Sequence, residues 1–209
     1  MITGGSGGLG SAIAEELRSH GWIVDALGSD DLDLRDETAI AAYFRNRAPD
    51  LLICAAGITR DAPLAKLDEV SWDETYSVNF QASRRCAAAV LPGMIERGHG
   101  HIIFVSSQSA LHPPPGQAAY AASKAALLGL TTDLAGQYGR HNIRINTILP
   151  GFLETRMTQS VSEQRREQVL EAHHLGRFNT SAAVAAFVRF LHESLPHTSG
   201  QIFRLDSRS

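Results

Sequence analysis

A chain of 209 residues, 44 % of them apolar, can bury one sizeable core and is short for two domains. Its formal charge of −3 gives no electrostatic reason to expect nucleic acid, and no apolar run reaches the roughly 20 residues of a bilayer span. Cys54 and Cys86 lack metal-ligand spacing and sit among apolar neighbours, so buried free thiols in a reducing cytoplasm are expected.

Met1-Ile2 reads as the stub of a first strand, either abnormally short or continued upstream, with no signal-peptide pattern before the turn that follows. That turn is Thr3-Gly4-Gly5-Ser6-Gly7-Gly8-Leu9-Gly10, leading into an amphipathic helix, Gly8–His20, closed by Gly21. Glycines let the backbone turn tightly and approach a pyrophosphate, and the helix behind them offers free N–H groups and a positive dipole end. A merely flexible glycine-rich terminus is the alternative, and the helical pattern behind the turn weighs against it.

Further strands are expected at Trp22–Leu27, Leu51–Ala55, Ile102–Ser106, Ile143–Leu149 and Gln201–Leu205. They alternate with helices at Glu37–Arg47, Trp72–Arg97, Gln117–Tyr138, Ser162–Ala172 and Ser181–His192. Such alternation implies α/β architecture: a single doubly wound parallel sheet of Rossmann type over residues 1–209. Pro92 should kink the long helix or remove one of its hydrogen bonds. Pro113-Pro114-Pro115 stiffens the loop between Ser107 and Tyr120, and Arg84-Arg85 and Arg165-Arg166 read as solvated helix faces.

Tyr120 and Lys124 carry the chemistry. Four residues apart on a helix, they share one face, and a neighbouring cation is expected to lower the proton affinity of the phenol. Ser107 lies thirteen positions before Tyr120, and Asn79 further upstream. Singly these are a turn cap, a surface amide and a buried aromatic; together, behind a glycine turn, they describe an acid–base site.

The order of these motifs resembles the short-chain dehydrogenase/reductase family over essentially the whole chain. Thr3, Gly4, Gly8 and Gly10 match its glycine turn, Tyr120 and Lys124 its Tyr-x-x-x-Lys motif, Ser107 its serine and Asn79 its helix asparagine. Pro150-Gly151 and Thr155 match the loop after its sixth strand. Ala56-Gly57-Ile58-Thr59-Arg60-Asp61 and Gly116-Gln117-Ala118-Ala119-Tyr120 look closest to β-ketoacyl-[acyl-carrier-protein] reductases. The resemblance implies that Asn79, Ser107, Tyr120 and Lys124 are catalytic. It also implies cofactor contacts from Thr3, Gly4, Ser6, Gly8, Leu9, Gly10, Ser29, Asp33, Leu34, Ala56, Gly57, Tyr120, Lys124, Pro150, Gly151 and Thr155, and no metal. Residues 154–178 would form a substrate flap, with Gln117 and Phe152 lining the pocket.

Three departures qualify it. The first strand is shortened, and Gly28 to Leu34 leaves no room for the usual helix after the second strand. Cys54-Ala55-Ala56-Gly57 replaces the family's Asn-Asn-Ala-Gly, removing two amides that would pin backbone there. Gly28 stands where an acidic residue would bind the adenosine ribose, and Ser29 could donate to a phosphate. NADP(H) is therefore preferred over NAD(H), although Asp30 and Asp31 oppose it. The expected substrate is a 3-oxoacyl thioester delivered by an acyl carrier protein, with Arg97, Arg140 and Arg144 as candidate docking charges. A dehydrogenase of a free secondary alcohol or sugar is the alternative, and a non-catalytic dinucleotide sensor a weaker one. Apolar residues on several faces of Trp72–Arg97 and Gln117–Tyr138 suggest a homotetramer or homodimer.

Overall fold

The computed structural model describes residues 1–208. Six strands form one parallel sheet in the order β2-β1-β3-β4-β5-β6: β1 (Ile2–Thr3), β2 (Ala26–Leu27), β3 (Leu51–Cys54), β4 (Gly100–Val105), β5 (Ile143–Leu149) and β6 (Ile202–Arg204). Register is set by matched apolar residues, with Ile53 beside Ile103 and Ile102 beside Ile145.

The alternation of side chains along each strand divides the core into two layers. Ile102 and Phe104 of β4 point to one face, where α2 (Glu37–Phe44), α4 (Ala82–Arg97) and α5 (Ala118–Tyr138) bring Ile40, Phe44, Val90, Met94 and Leu127. Ile103 and Val105 point to the other, where α1 (Gly8–Ser19) and α7 (Ser181–Ser194) bring Ile13, Leu17, Val184 and Val188. Buried on both faces, β4 is apolar at most positions rather than alternating.

The first strand is indeed two residues long, and beneath it opens a cavity of about 280 Å³ lined by Trp22, Asp25, Pro49 and Leu51. The expected strand Trp22–Leu27 shrinks to Ala26–Leu27. The Trp22 indole donates to Glu193 at 2.9 Å and meets His192 edge-on, while Arg18 holds the Val24 carbonyl at 2.8 Å. After β2 the chain passes through turns to Asp36, which caps α2 by accepting from the Thr38 and Ala39 amides. No helix and no strand intervene there among the described residues, which leaves β2 at the sheet edge.

The long helix differs from expectation. It starts as α3 (Glu69–Tyr76), capped by Asp68, passes through a π turn at Ser77–Gln81, and continues as α4 to Gly98, whose φ of +70° ends it. Pro92 stays inside α4; the irregular turn lies eleven residues earlier, at the π segment. No helix among the described residues is long and apolar enough to cross a membrane. Cys54 and Cys86 are buried free thiols, and burial pushes Cys86 up to about 12.

Candidate active site

The site lies at the carboxyl ends of the strands, where β1 enters the glycine turn, β3 reaches Ala56-Gly57, β4 ends before Ser107, and β5 ends at Pro150. The turn is packed so closely that side chains are excluded. A Cβ on Gly4, which has φ +70°, would lie 2.6 Å from the Ala56 amide nitrogen, and one on Gly10 would lie 2.2 Å from the Gly4 carbonyl oxygen. A Cβ on Gly8 would press on the Thr155 methyl at 2.9 Å, so the loop after β5 closes against the turn. Helix α1 begins at Gly8 with no side-chain cap and no acidic residue in its first turn. Its free N–H groups and positive end suit a dinucleotide pyrophosphate. The Ala56 backbone closes against Gly4 and the Ser6 side chain lies against Gly28, whereas Gly57 faces Asn79 and Lys124 and Gly151 packs on Asp206.

At the adenosine end the agreement with expectation is partial. The Gly28 N–H donates to the Asp31 carboxylate at 2.8 Å, placing a negative charge at the end of β2 beside exposed Ser29. Asp33 is held by Arg35 at 2.9 Å, which keeps its carboxyl below the usual range, and Leu34 packs on the core. Asp30 and Asp31 were both expected to oppose a 2′-phosphate; the folded turn shows that it is Asp31 that reaches back to Gly28.

Lys124 is buried, and its ammonium donates to the Val105 carbonyl at 2.8 Å. Desolvation lowers it to about 8, so it can exchange a proton near neutrality. Its Nζ stands 5.9 Å from the Tyr120 ring centroid. The expectation that Lys124 lowers the Tyr120 pKa is corrected. Desolvation raises the phenol above its ordinary value, the Asp61 carboxylate adds to this, and only the Ser107 hydroxyl opposes it. Burial sets this direction, and Lys124, whose Nζ is turned to the Val105 carbonyl, does not offset it.

Ser107 caps a 3-10 turn: its Oγ accepts from the Ser109 amide at 3.1 Å, which leaves its own proton free to be donated. The π turn directs Asn79 inward, where it is fully buried. Its Oδ1 accepts from the Ile58 amide at 2.8 Å, and its Nδ2 donates to the Ile58 carbonyl and the Ser123 hydroxyl, each at 3.0 Å. A Cβ on Gly57 would lie 3.3 Å from both Asn79 Oδ1 and Lys124 Nζ. One amide thus pins the segment after β3, where the missing asparagines had put rigidity in question. Ser123, which joins Asn79 to α5, was not foreseen; its four-residue offset from Ala119 carries no signal of its own.

Residues 154–178, expected to form a flap, contain Arg156–Thr158 as a 3-10 turn and α6 (Glu163–Glu171). Arg166 pairs with Glu154 and lies 5.7 Å from the Phe152 ring and 5.8 Å from that of Phe178. The three docking arginines are a second correction. Arg97 and Arg140 precede the amino ends of β4 and β5, the opposite end of the sheet from Ser107. Arg144 is turned inward, donating to the Leu191, His192 and Leu195 carbonyls.

The short chain dehydrogenase family profile matches residues 29–166. The chain is 39 % identical to the 3-oxoacyl-[acyl-carrier-protein] reductase FabG of Thermotoga maritima over 75 % of its own length and 64 % of that protein. It is 30 % identical to the protein of the same name from Chlamydia muridarum over 99 % and 94 % of the two chains, and 32 % identical to Nodulation protein G of a Rhizobium species over 91 % and 87 %. The chain belongs to the short chain dehydrogenase family.

Proposed function

We propose that this protein is a nicotinamide-dependent oxidoreductase that reduces a 3-oxoacyl thioester, carried on an acyl carrier protein, to its 3-hydroxyacyl form. The carrying observation is the convergence of Ser107, Tyr120, Lys124 and Asn79 at the strand ends that face the glycine cradle. A reduced nicotinamide dinucleotide, whose pyrophosphate the Gly4–Gly10 turn and the start of α1 would hold, would supply hydride to the carbonyl carbon. Ser107 donates a hydrogen bond to the oxygen as charge builds on it, and Tyr120, a phenol whose burial raises its proton affinity further, gives that oxygen its proton. Lys124 restores the phenol's proton and, by family resemblance, holds the nicotinamide ribose; Asn79 fixes the backbone on which that path is built.

Residues 154–178 serve as the flap over the substrate, with Phe152 and Gln117 beneath it. We place the protein in the cytoplasm as a homotetramer or homodimer built on α4 and α5, consistent with its two unpaired thiols. For the cofactor, Gly28 and Ser29 argued for NADP(H). The Asp31 carboxylate at the end of β2 repels a 2′-phosphate and can accept from a ribose hydroxyl, and Arg35 is engaged by Asp33, so NAD(H) is the reading favoured by this geometry.

The test compares 3-oxoacyl thioesters with simple ketones, secondary alcohols and sugars, for the parent and for Tyr120→Phe. Thioester reduction that vanishes in Tyr120→Phe while reduced-nicotinamide binding persists supports the reading. Turnover of free alcohols alone transfers it to the alternative dehydrogenase, and Tyr120→Phe activity within about threefold of the parent, well under 1 kcal/mol in barrier, sinks the acid–base assignment.

A further inference from the structure

A continuous hydrogen-bonded chain runs across the mouth of the site. The Gln117 amide donates to the Asp61 carboxylate at 2.7 Å, and the Ser109 hydroxyl donates to the Gln117 amide oxygen at 2.9 Å. The Ser109 backbone N–H donates to Ser107 Oγ at 3.1 Å. At its far end Asp61 accepts from the Thr59 hydroxyl. Beside it the Ala62 amide donates to the Gly116 carbonyl at 2.9 Å, tying the same two loops together through the backbone. Direction matters in this chain. A carboxylate only accepts, so Asp61 forces the Gln117 amide to present its NH₂ to one side and its oxygen to Ser109. Ser109, held by that oxygen, keeps its N–H on Ser107, which fills an Oγ lone pair and turns the Ser107 proton outward as a donor.

We propose that Asp61 is a positioning residue of the catalytic centre, acting through Gln117 and Ser109 to hold the Ser107 hydroxyl in its donating orientation. This rests on the functional reading of Ser107 and Tyr120 given above. Asp61 also acts by charge. The ionisable groups facing Tyr120 are Asp61, from the loop after β3, and Lys124, one turn along α5. The carboxylate opposes ionisation of the phenol and so favours the protonated acid needed for carbonyl reduction. Because Asp61 is exposed, solvent and salt weaken this second effect.

The test uses Asp61→Ala, Asp61→Asn, Gln117→Ala and the Asp61→Ala/Gln117→Ala double variant. Steady-state kinetics across pH are paired with reduced-nicotinamide fluorescence titration. Asp61→Ala and Gln117→Ala should each lower kcat by about tenfold with cofactor affinity unchanged, and the double variant should fall no further, since both cut one chain. Asp61→Asn retains an acceptor for Gln117 and should recover most of kcat, while the alkaline limb of its reduction profile moves to lower pH. Multiplying losses in the double variant, no gain from asparagine over alanine, or full kcat in Asp61→Ala would each overturn the proposal. If Tyr120→Phe is inactive and Asp61→Ala is not, this inference fails alone; if Tyr120→Phe is active, the functional reading fails with it.

Discussion

Replacing Asn79 by leucine keeps the side chain's volume and removes its hydrogen bonds, so it isolates what the amide does. Three bonds are lost: the Ile58 amide and carbonyl lose their partner, and the Ser123 hydroxyl loses a donor. Ser123 still donates to the Tyr120 carbonyl at 2.7 Å, so its loss is the smallest. Ile58 is half-buried, so water can reach part of its backbone, and about 1 kcal/mol for each orphaned group is the appropriate scale. The expected cost is about 2–3 kcal/mol, or roughly 5–10 °C in Tm for a chain of this size. Urea unfolding of parent and variant, analysed at constant m, measures it. A companion kinetic assay should show a deeper fall in kcat than in cofactor affinity, because the Ile58 backbone and Ser123 of α5 lose their common anchor. A stability change below about 0.5 kcal/mol would refute the idea that this one amide replaces the missing pair after β3.

Asp31→Ser should shift the ratio of NADPH to NADH dissociation constants by about tenfold toward NADPH, read by fluorescence titration; an unchanged ratio would remove Asp31 from cofactor choice. His101, buried, and His192, half-buried, form a pair at the foot of β4, with His101 Nδ1 3.1 Å from His192 Nδ1 and Asn146 donating to His101 Nε2 at 3.0 Å. Desolvation and then Arg144 depress both, His192 to about 4, so each folds neutral and must bind a proton to unfold at low pH. The folded state is therefore favoured above the unfolded histidine value near 6.5 and loses this advantage as pH falls toward 4. Thermal melts of His192→Gln should lose less Tm over that window than the parent. Light scattering at micromolar protein should give a dimer or tetramer, and a monomer would remove the α4 and α5 interface.

The parallel sheet with helices on both faces was legible because periodicity and glycine placement act locally. The β5 boundaries, Ile143–Leu149, follow directly from its apolar run, and the turn at Thr3–Gly10 from its glycines. What escaped depended on contacts between distant segments. Trp22 leaves its strand for Glu193, a partner 171 residues away. Asp31 folds back over a turn whose shape no propensity dictates. Helical spacing shows Lys124 to be near Tyr120 but shows neither the burial that raises the phenol nor that the Lys124 ammonium is turned to Val105. Arg144 reads as a surface charge until α7 supplies three carbonyls for it.

The π turn at Ser77–Gln81 makes the helix unusually sensitive to changes in chain length. Such a turn accommodates one more residue than the regular helix around it. Deleting a single residue there would let α3 and α4 merge into one regular helix with both flanks near their present register, while the residues of the bulge itself would be re-aimed. Asn79, or whatever took its place, would then leave the face that meets Ile58 and Ser123. A one-codon deletion in this segment is thus expected to yield a protein that still folds but has lost its site, whereas the same deletion in the turns between β2 and α2 would leave the catalytic centre in register.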